Sequence, residues 1–162
     1  MKKLMFVLIA SACCTAFAMN ASAQQADQAT TDAVIAMVKA QWAAEIKDPT
    51  NVGEQTKDAS DDYTEFNADY ATRLDGKAMS SRLAEATAKA SGKTVAAEMA
   101  NPKVQVYGGN VAILTYNYVG LIQDKDGKTE PARAKSTRVF VKKDNKWVLV
   151  HANFGSDPLP KQ

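Results

Sequence analysis

The spacing of apolar residues changes along this chain from a helical period to an alternating one. The early apolar positions are Val34, Ile35, Val38, Trp42 and Ile46. Their spacing predicts a helix that begins at Thr30 or Thr31, either of which can cap it, and that reaches about Lys47. Asp48-Pro49 ends the helix because the residue before a proline is driven out of the helical region.

The middle of the chain has a weaker pattern, which predicts shorter elements. A polar connector at 50–60 has room for a short second helix, and brief extended pieces follow at Tyr63–Phe66 and Tyr70–Leu74. Asp75-Gly76 then turns the chain into a helix that runs from about Lys77 to Lys89.

From Ala97 onward the apolar residues alternate, which predicts β-strands joined by short turns. The expected strands are about Glu98–Tyr107, Val111–Gln123, Ala132–Lys142 and Lys146–Phe154. Short turns between successive strands imply an antiparallel meander. The sequence therefore predicts an α+β domain in which N-terminal helices pack on a curved antiparallel β-sheet.

The second of these strands is apolar on both faces. One face carries Val111, Ile113, Val119 and Leu121, and the other carries Ala112, Leu114, Tyr116, Tyr118 and Ile122. An antiparallel sheet with one wet face alternates apolar with polar residues instead. Because the helices can cover only one face, we expect a second copy of the chain on the other, which predicts a homodimer or larger homo-oligomer.

The first 23 residues have the features of a cleavable secretory signal peptide. Lys2-Lys3 supplies a positive start, Leu4 to Phe17 is apolar or small, and Ala21-Ser22-Ala23 supplies a cleavage site, with a second possible cut after Ala18. The apolar run is too short to span a bilayer. We therefore expect a periplasmic or secreted protein that has no membrane association after cleavage.

Removal of the leader at 1–23 changes what the composition allows. The chain has 20 basic and 18 acidic residues, and the leader holds two of the lysines, so the remainder is neutral with 18 of each. A neutral domain lacks the basic field that nucleic-acid binding requires. We expect residues 24–29 to form a flexible tether, 30–157 the domain and 158–162 a tail.

Several motifs in the strands have the spacing of a known family. They are Asn101-Pro102-Lys103-Val104, Thr115-Tyr116, Asp126-Gly127, Thr137-Arg138-Val139, Lys146-Trp147 and Val150-His151. The run from Asn101 to Ser156 resembles the association domain of calcium/calmodulin-dependent protein kinase II and the related SnoaL-like domains. A looser likeness covers Asp61 to Ala78. The resemblance implies the cone-shaped nuclear transport factor 2-like (cystatin-like) fold without kinase activity.

The resemblance also implies an arginine-lined pocket, of which this chain keeps only Arg138. Tyr118 stands where the association domains usually have a second arginine. The last strand reads His151-Ala152-Asn153-Phe154 instead of His-x-His followed by Cys or Ser. Free-standing bacterial relatives include isomerases, cyclases and dehydratases.

Arg138 is the first candidate for ligand binding. A guanidinium on a central strand stays charged and needs an anion or several acceptors. It is either a clamp for a ligand carboxylate or a structural partner of an internal acid such as Glu65 or Asp62. Tyr116 and Tyr118 either point into the same pocket or belong to the core or an interface.

The remaining candidates have weaker support. Asn153 is a further ligand-binding candidate, and His151 is either a general base or a satisfied structural group. The alternation of the last strand predicts that His151 and Asn153 share a face with Leu149. Asp62 or Glu65 beside Tyr116 would imitate the carboxylate and tyrosine of steroid-isomerising fold relatives, with turn or cap roles as the alternative. One histidine, with both cysteines in the leader, excludes a His-rich or thiolate zinc site, and we expect no metal and no cofactor.

Two hypotheses of function follow. The first is an exported module that binds a small ligand in an anion-accepting pocket or assembles into homo-oligomers. Its partners would be other copies of itself and a small carboxylated or apolar molecule. The alternative is a cofactor-independent isomerase, dehydratase or cyclase of the ketosteroid-isomerase-like type. We favour the non-catalytic hypothesis.

Overall fold

The computed structural model describes residues 27–68, 70–90 and 92–157. The predicted signal peptide at 1–23, residues 24–26 of the predicted tether and the predicted tail at 158–162 lie outside these residues.

The described residues form helices followed by a meander of long strands, in the predicted order. The helices are α1 (27–47), α2 (Val52–Gln55) and α3 (Lys77–Ala90). The strands are β1 (Ala59–Asn67), β2 (Leu74–Asp75), β3 (Lys93–Tyr107), β4 (Val111–Gln123), β5 (Thr129–Lys143) and β6 (Lys146–Ser156).

Local polar contacts account for the helix boundaries. Helix α1 is already helical at residue 27, so the predicted start at Thr30 or Thr31 is wrong; the Gln28 amide bonds the Asp32 carboxylate across this first turn at 3.0 Å. At the other end, the Asp48 carboxylate accepts a hydrogen bond from the Thr50 amide at 3.0 Å. The side chain of Asn51 then caps α2.

The sheet has six strands in the order β2-β1-β6-β5-β4-β3. Strands β3 to β6 form the expected antiparallel meander. Strand β1 joins the sheet parallel to β6, an arrangement that the alternation pattern does not predict because alternation reveals a strand but not its neighbour. The predicted α+β fold with helices on a curved sheet is confirmed.

The two faces of the sheet are buried to different extents. We call the face that packs against α1 the inner face and the opposite one the outer face. The core between α1 and the inner face is formed by Val34, Val38, Trp42, Ala112, Leu114, Tyr116, Phe140, Leu149 and Ala152. On the outer face, Val111, Ile113, Val119, Val139 and Val141 are only partly buried within one chain, and Leu121 is 42% exposed.

Candidate functional site

A cavity of about 490 Å³ lies between the helices and the inner face of the sheet. Apolar and aromatic side chains form most of its wall. Among the polar and aromatic groups that line it are Gln41, Glu45, Tyr63, Glu65, Tyr116 and Arg138. An apolar hollow with a few convergent polar groups is the usual form of a small-molecule site.

Arg138 is the buried cation of this cavity. It lies on β5 and is 4% exposed. Its Nε donates to the Tyr116 hydroxyl oxygen at 2.9 Å, and Nη1 donates to Oε1 of Gln41 at 2.6 Å. The guanidinium carbon also lies 5.2 Å from the ring centre of Phe154. Tyr116 and Gln41 accept hydrogen bonds from the guanidinium, but all three partners are neutral and none balances its charge.

The internal ion pair, one of the two alternatives for Arg138, is absent from the described part of the chain. There, no carboxylate oxygen lies within 4.0 Å of the Arg138 guanidinium. Asp62 is exposed and lies 3.7 Å from the Lys143 ammonium, on the outside of the cavity. Glu65 lines the cavity but accepts its hydrogen bonds from other side chains.

Glu65 and Tyr63 form the acidic part of the wall. Both come from β1, two residues apart, and therefore share one face of the strand. The Tyr63 hydroxyl donates to Oε2 of Glu65 at 2.7 Å, and the Asn67 amide nitrogen lies 3.3 Å from Oε1. Burial, and secondarily the negative charge of Glu65, raises the pKa of Tyr63 well above its usual range. Tyr63 is therefore a hydrogen-bond donor at any physiological pH.

Tyr118 lines the cavity in a fixed position. Its ring packs edge-on against Trp42, with centroids 5.4 Å apart. Burial raises its pKa, and the charge of Glu45 adds to this effect. A Cβ at Gly120 would lie 2.3 Å from the Tyr118 hydroxyl oxygen and 2.9 Å from a backbone oxygen, so glycine is required for the ring to lie here.

Two of the candidates lie on the other side of the sheet. The strand pairing shifts between Val139 and Phe140, so that Phe140 faces Leu149 whereas Val139 faces His151. This bulge at Val150 reverses the alternation in β6. The expectation that His151 and Asn153 share a face with Leu149 is therefore wrong.

On the outer face, His151 and Asn153 have surroundings unlike those of the cavity. Nδ1 of His151 lies 2.8 Å from the Thr64 hydroxyl oxygen, and its ring packs edge-on against Phe66. Asn153 is exposed. Neither residue lines the cavity.

Sequence reasoning missed two polar residues of the site. Gln41 lies one position before Trp42 on α1, and a lone glutamine on a helix carries no signal that its amide will meet a strand arginine. Tyr63 lies in a predicted extended piece, but which face of that piece meets the cavity depends on β1 joining β6. That parallel pairing has no local signature.

The described residues contain neither a cluster of metal ligands nor a membrane-spanning helix. No three His, Cys, Asp or Glu side chains among them come together as ligands for a metal ion. None of their helices is long and apolar enough to cross a membrane.

The inner cavity, the crossing helix and the curled sheet define a nuclear transport factor 2-like cone. Within that class, the model of the calcium/calmodulin dependent protein kinase II association domain family matches residues 30–158, and the chain belongs to this family.

Solved structures share this fold at low sequence identity. The association domain of calcium/calmodulin-dependent protein kinase II from C. elegans has a TM-score of 0.66 at 18% identity, covering 80% of this chain and 98% of that one. A nuclear transport factor 2-like protein of unknown function from Pseudomonas putida gives 0.66 at 16% identity, covering 80% and 88%. A provisionally assigned ketosteroid isomerase from Parabacteroides distasonis gives 0.62 at 20% identity, covering 75% and 83%.

A curated relative matches a smaller part of the chain. Calcium/calmodulin-dependent protein kinase type II of Caenorhabditis elegans is 30% identical over 60 residues, which is 37% of this chain. The match spans only 8% of the length of that kinase.

Proposed function

We propose that this protein is an exported, homo-oligomeric binding module whose cavity takes a small carboxylate at Arg138. The observation that carries the proposal is a guanidinium that is 4% exposed, lines the cavity and has only neutral hydrogen-bond partners. Its hydrogen bonds to Tyr116 and Gln41 fix its position.

The energetics of a buried charge favour a carboxylate ligand. An ion removed from water is costly unless an opposite charge and further hydrogen bonds compensate it. Two of the five guanidinium N–H groups of Arg138 are used by Tyr116 and Gln41. A carboxylate can bind the remaining donors through both its oxygens, which is the strongest pairing available to arginine. The aromatic walls would then hold the apolar part of the ligand.

Assembly is supported by the outer face. That face carries several valines and an isoleucine, and the helices in the described part of the chain pack on the opposite side. Membership of the association domain family agrees with assembly into homo-oligomers. Export is supported by the features of residues 1–23, and none of these arguments assigns the chain a kinase reaction.

The carboxylate site is tested by calorimetric titration of the secreted chain with a panel of small carboxylates and their matched amides. Binding of the acids but not the amides supports the proposal. Arg138→Met should abolish that binding, whereas Arg73→Met, which alters an exposed arginine outside the cavity, should leave it unchanged. If Arg138→Met does not fold, Arg138→Lys keeps the charge but loses the bidentate contact, and a tenfold or greater loss of affinity is expected. A wild-type chain that binds none of the acids overturns the proposal.

A second candidate function is supported by Glu65. Its carboxylate lies in an apolar cavity beside the Tyr63 hydroxyl, a combination suited to moving a proton next to a carbonyl group. The assay is conversion of a Δ5-3-ketosteroid to its conjugated isomer, followed by ultraviolet absorbance. Activity that Glu65→Gln removes and Asp62→Asn preserves would favour the enzyme over the binding module.

A further inference from the structure

Arg138 and Glu65 lie in one row across the inner face. Strand pairing aligns Arg138 with Ala152 and Ala152 with Glu65, so the two charged residues flank a single alanine. Adjacent strands are about 4.8 Å apart, which places the two Cα atoms about 10 Å from each other. Ala152 is fully buried and projects only a methyl group between them.

The two charges are held apart although their side chains are long enough to meet. Arg138 is turned toward Tyr116 and Gln41, and Glu65 is turned toward Tyr63 and Asn67. Each charged group therefore has its own neutral hydrogen-bond partners, and both groups line the same cavity. The arrangement keeps a cationic and an anionic anchor on opposite sides of a small residue.

We propose that the ligand is a small zwitterion, an amino acid whose carboxylate binds Arg138 and whose ammonium group binds Glu65. This inference rests on the proposed carboxylate site. A ligand with only a carboxylate would bring a second negative charge close to Glu65, which is unfavourable in a largely apolar cavity. An ammonium group on the same ligand replaces that repulsion with a second ion pair.

The rest of the wall selects the side chain of the amino acid. Trp42 packs edge-on against both Tyr116 and Tyr118, with ring centroids 5.6 and 5.4 Å apart. The ring of Phe154 lies beside the Arg138 guanidinium. These aromatic surfaces match an apolar or aromatic ligand side chain.

The experiment compares three ligands that share one skeleton. Phenylalanine carries both charges, 3-phenylpropanoate lacks the ammonium group and 2-phenylethylamine lacks the carboxylate. Calorimetric titration of the secreted chain should give phenylalanine at least a tenfold lower Kd than 3-phenylpropanoate. Glu65→Gln should remove this difference, and Asp62→Asn, which changes an exposed acid of the same strand, should preserve it.

The outcomes separate this inference from the carboxylate site on which it rests. If 3-phenylpropanoate binds as tightly as phenylalanine, the inference that the ligand is a zwitterion is wrong, whereas the proposed carboxylate site stands. If no ligand of the series binds, both are wrong. N-acetylphenylalanine keeps the carboxylate but replaces the ammonium group with a neutral amide, so it tests the ammonium contact on the wild-type protein. If it binds as tightly as phenylalanine, the inference is also overturned.

Discussion

Leu114 and its neighbour Ile113 show how differently the two faces of the sheet are built. Leu114 points to the inner face and is fully buried by α1 and the rest of the core. Ile113 points to the outer face and is only partly buried within one chain. The inner face thus completes its core within the chain and has room for polar groups, whereas the outer face leaves valine, isoleucine and leucine side chains partly exposed among polar ones, and another surface would cover them.

The largest expected effect is the loss of Leu114. Leu114→Ala should lower the free energy of unfolding by about 2–5 kcal/mol, because a fully buried leucine leaves a cavity when truncated. Ile113→Ala should cost less, and its cost should grow with protein concentration because assembly would bury the part of that side chain that a single chain leaves exposed. Urea unfolding at two protein concentrations measures both. Equal, concentration-independent losses for the two variants would remove the distinction between the faces.

The next effect concerns assembly through the outer face. Val139→Asp places a charge in the middle of this apolar surface, and a buried charge without a partner is strongly unfavourable. Sedimentation velocity should show at least a hundredfold weaker association. Thr72→Asp adds the same charge at an exposed residue of the loop between β1 and β2 and should leave association unchanged. Unaltered assembly of a folded Val139→Asp protein would place the contact elsewhere.

Gly120 tests the inner face at the cavity wall. Gly120→Ala forces a methyl group against Tyr118 and a backbone oxygen, and overpacking of this kind costs about 1–3 kcal/mol. Tyr118 lines the cavity, so the variant should also alter binding there. The matched control is Gly155→Ala, where an added Cβ meets no atom within 4 Å. Thermal unfolding of the two variants gives the comparison, and equal melting temperatures would contradict the proposed contact.

The two faces also show how far the sequence predicts this molecule. Strand β4 has the predicted bounds because its alternation and flanking turns are local signals. The same alternation predicts that Tyr116 and Tyr118 share a face of β4, and both line the cavity with Arg138. His151 and Asn153 were placed on the wrong one, since a bulge in β6 shifts the alternation and is visible only in the pairing with β5.

The place of Glu65 in the site is harder to predict from the sequence, for a different reason. Glu65 is one of several acids near the first short strand, and although alternation puts it on the face opposite Asp62, the sequence does not say which of the two faces meets the cavity. What decides this is the parallel pairing of β1 with β6, which aligns Glu65 with Ala152 on the inner face. A contact between strands more than eighty residues apart is a property of the whole fold and cannot be derived from a local pattern.

The smallest expected effect isolates the contact between Tyr63 and Glu65. Tyr63→Phe removes a hydrogen bond to a charged group, so unfolding at pH 7 should become easier by about 1–3 kcal/mol. The difference should shrink above pH 10. Burial and the charge of Glu65 raise the pKa of Tyr63 above its unfolded value of 10.0, so the stabilisation it provides is fully present below pH 10. It is lost as the pH rises, because the unfolded chain then gains stability by ionising this tyrosine and the folded chain does not.

Urea unfolding between pH 7 and 11.5 measures this convergence as the difference between wild type and Tyr63→Phe. Lysine ionisation is common to both proteins and cancels in that difference. Tyr107→Phe, at an exposed tyrosine on the edge strand, is the matched control. If the difference between wild type and Tyr63→Phe stays constant up to pH 11.5, Tyr63 ionises equally in both states. That result would mean that neither burial nor the Glu65 carboxylate raises the pKa of Tyr63 in the folded chain. Tyr63 would then not be the buried hydrogen-bond donor to Glu65 on the inner face.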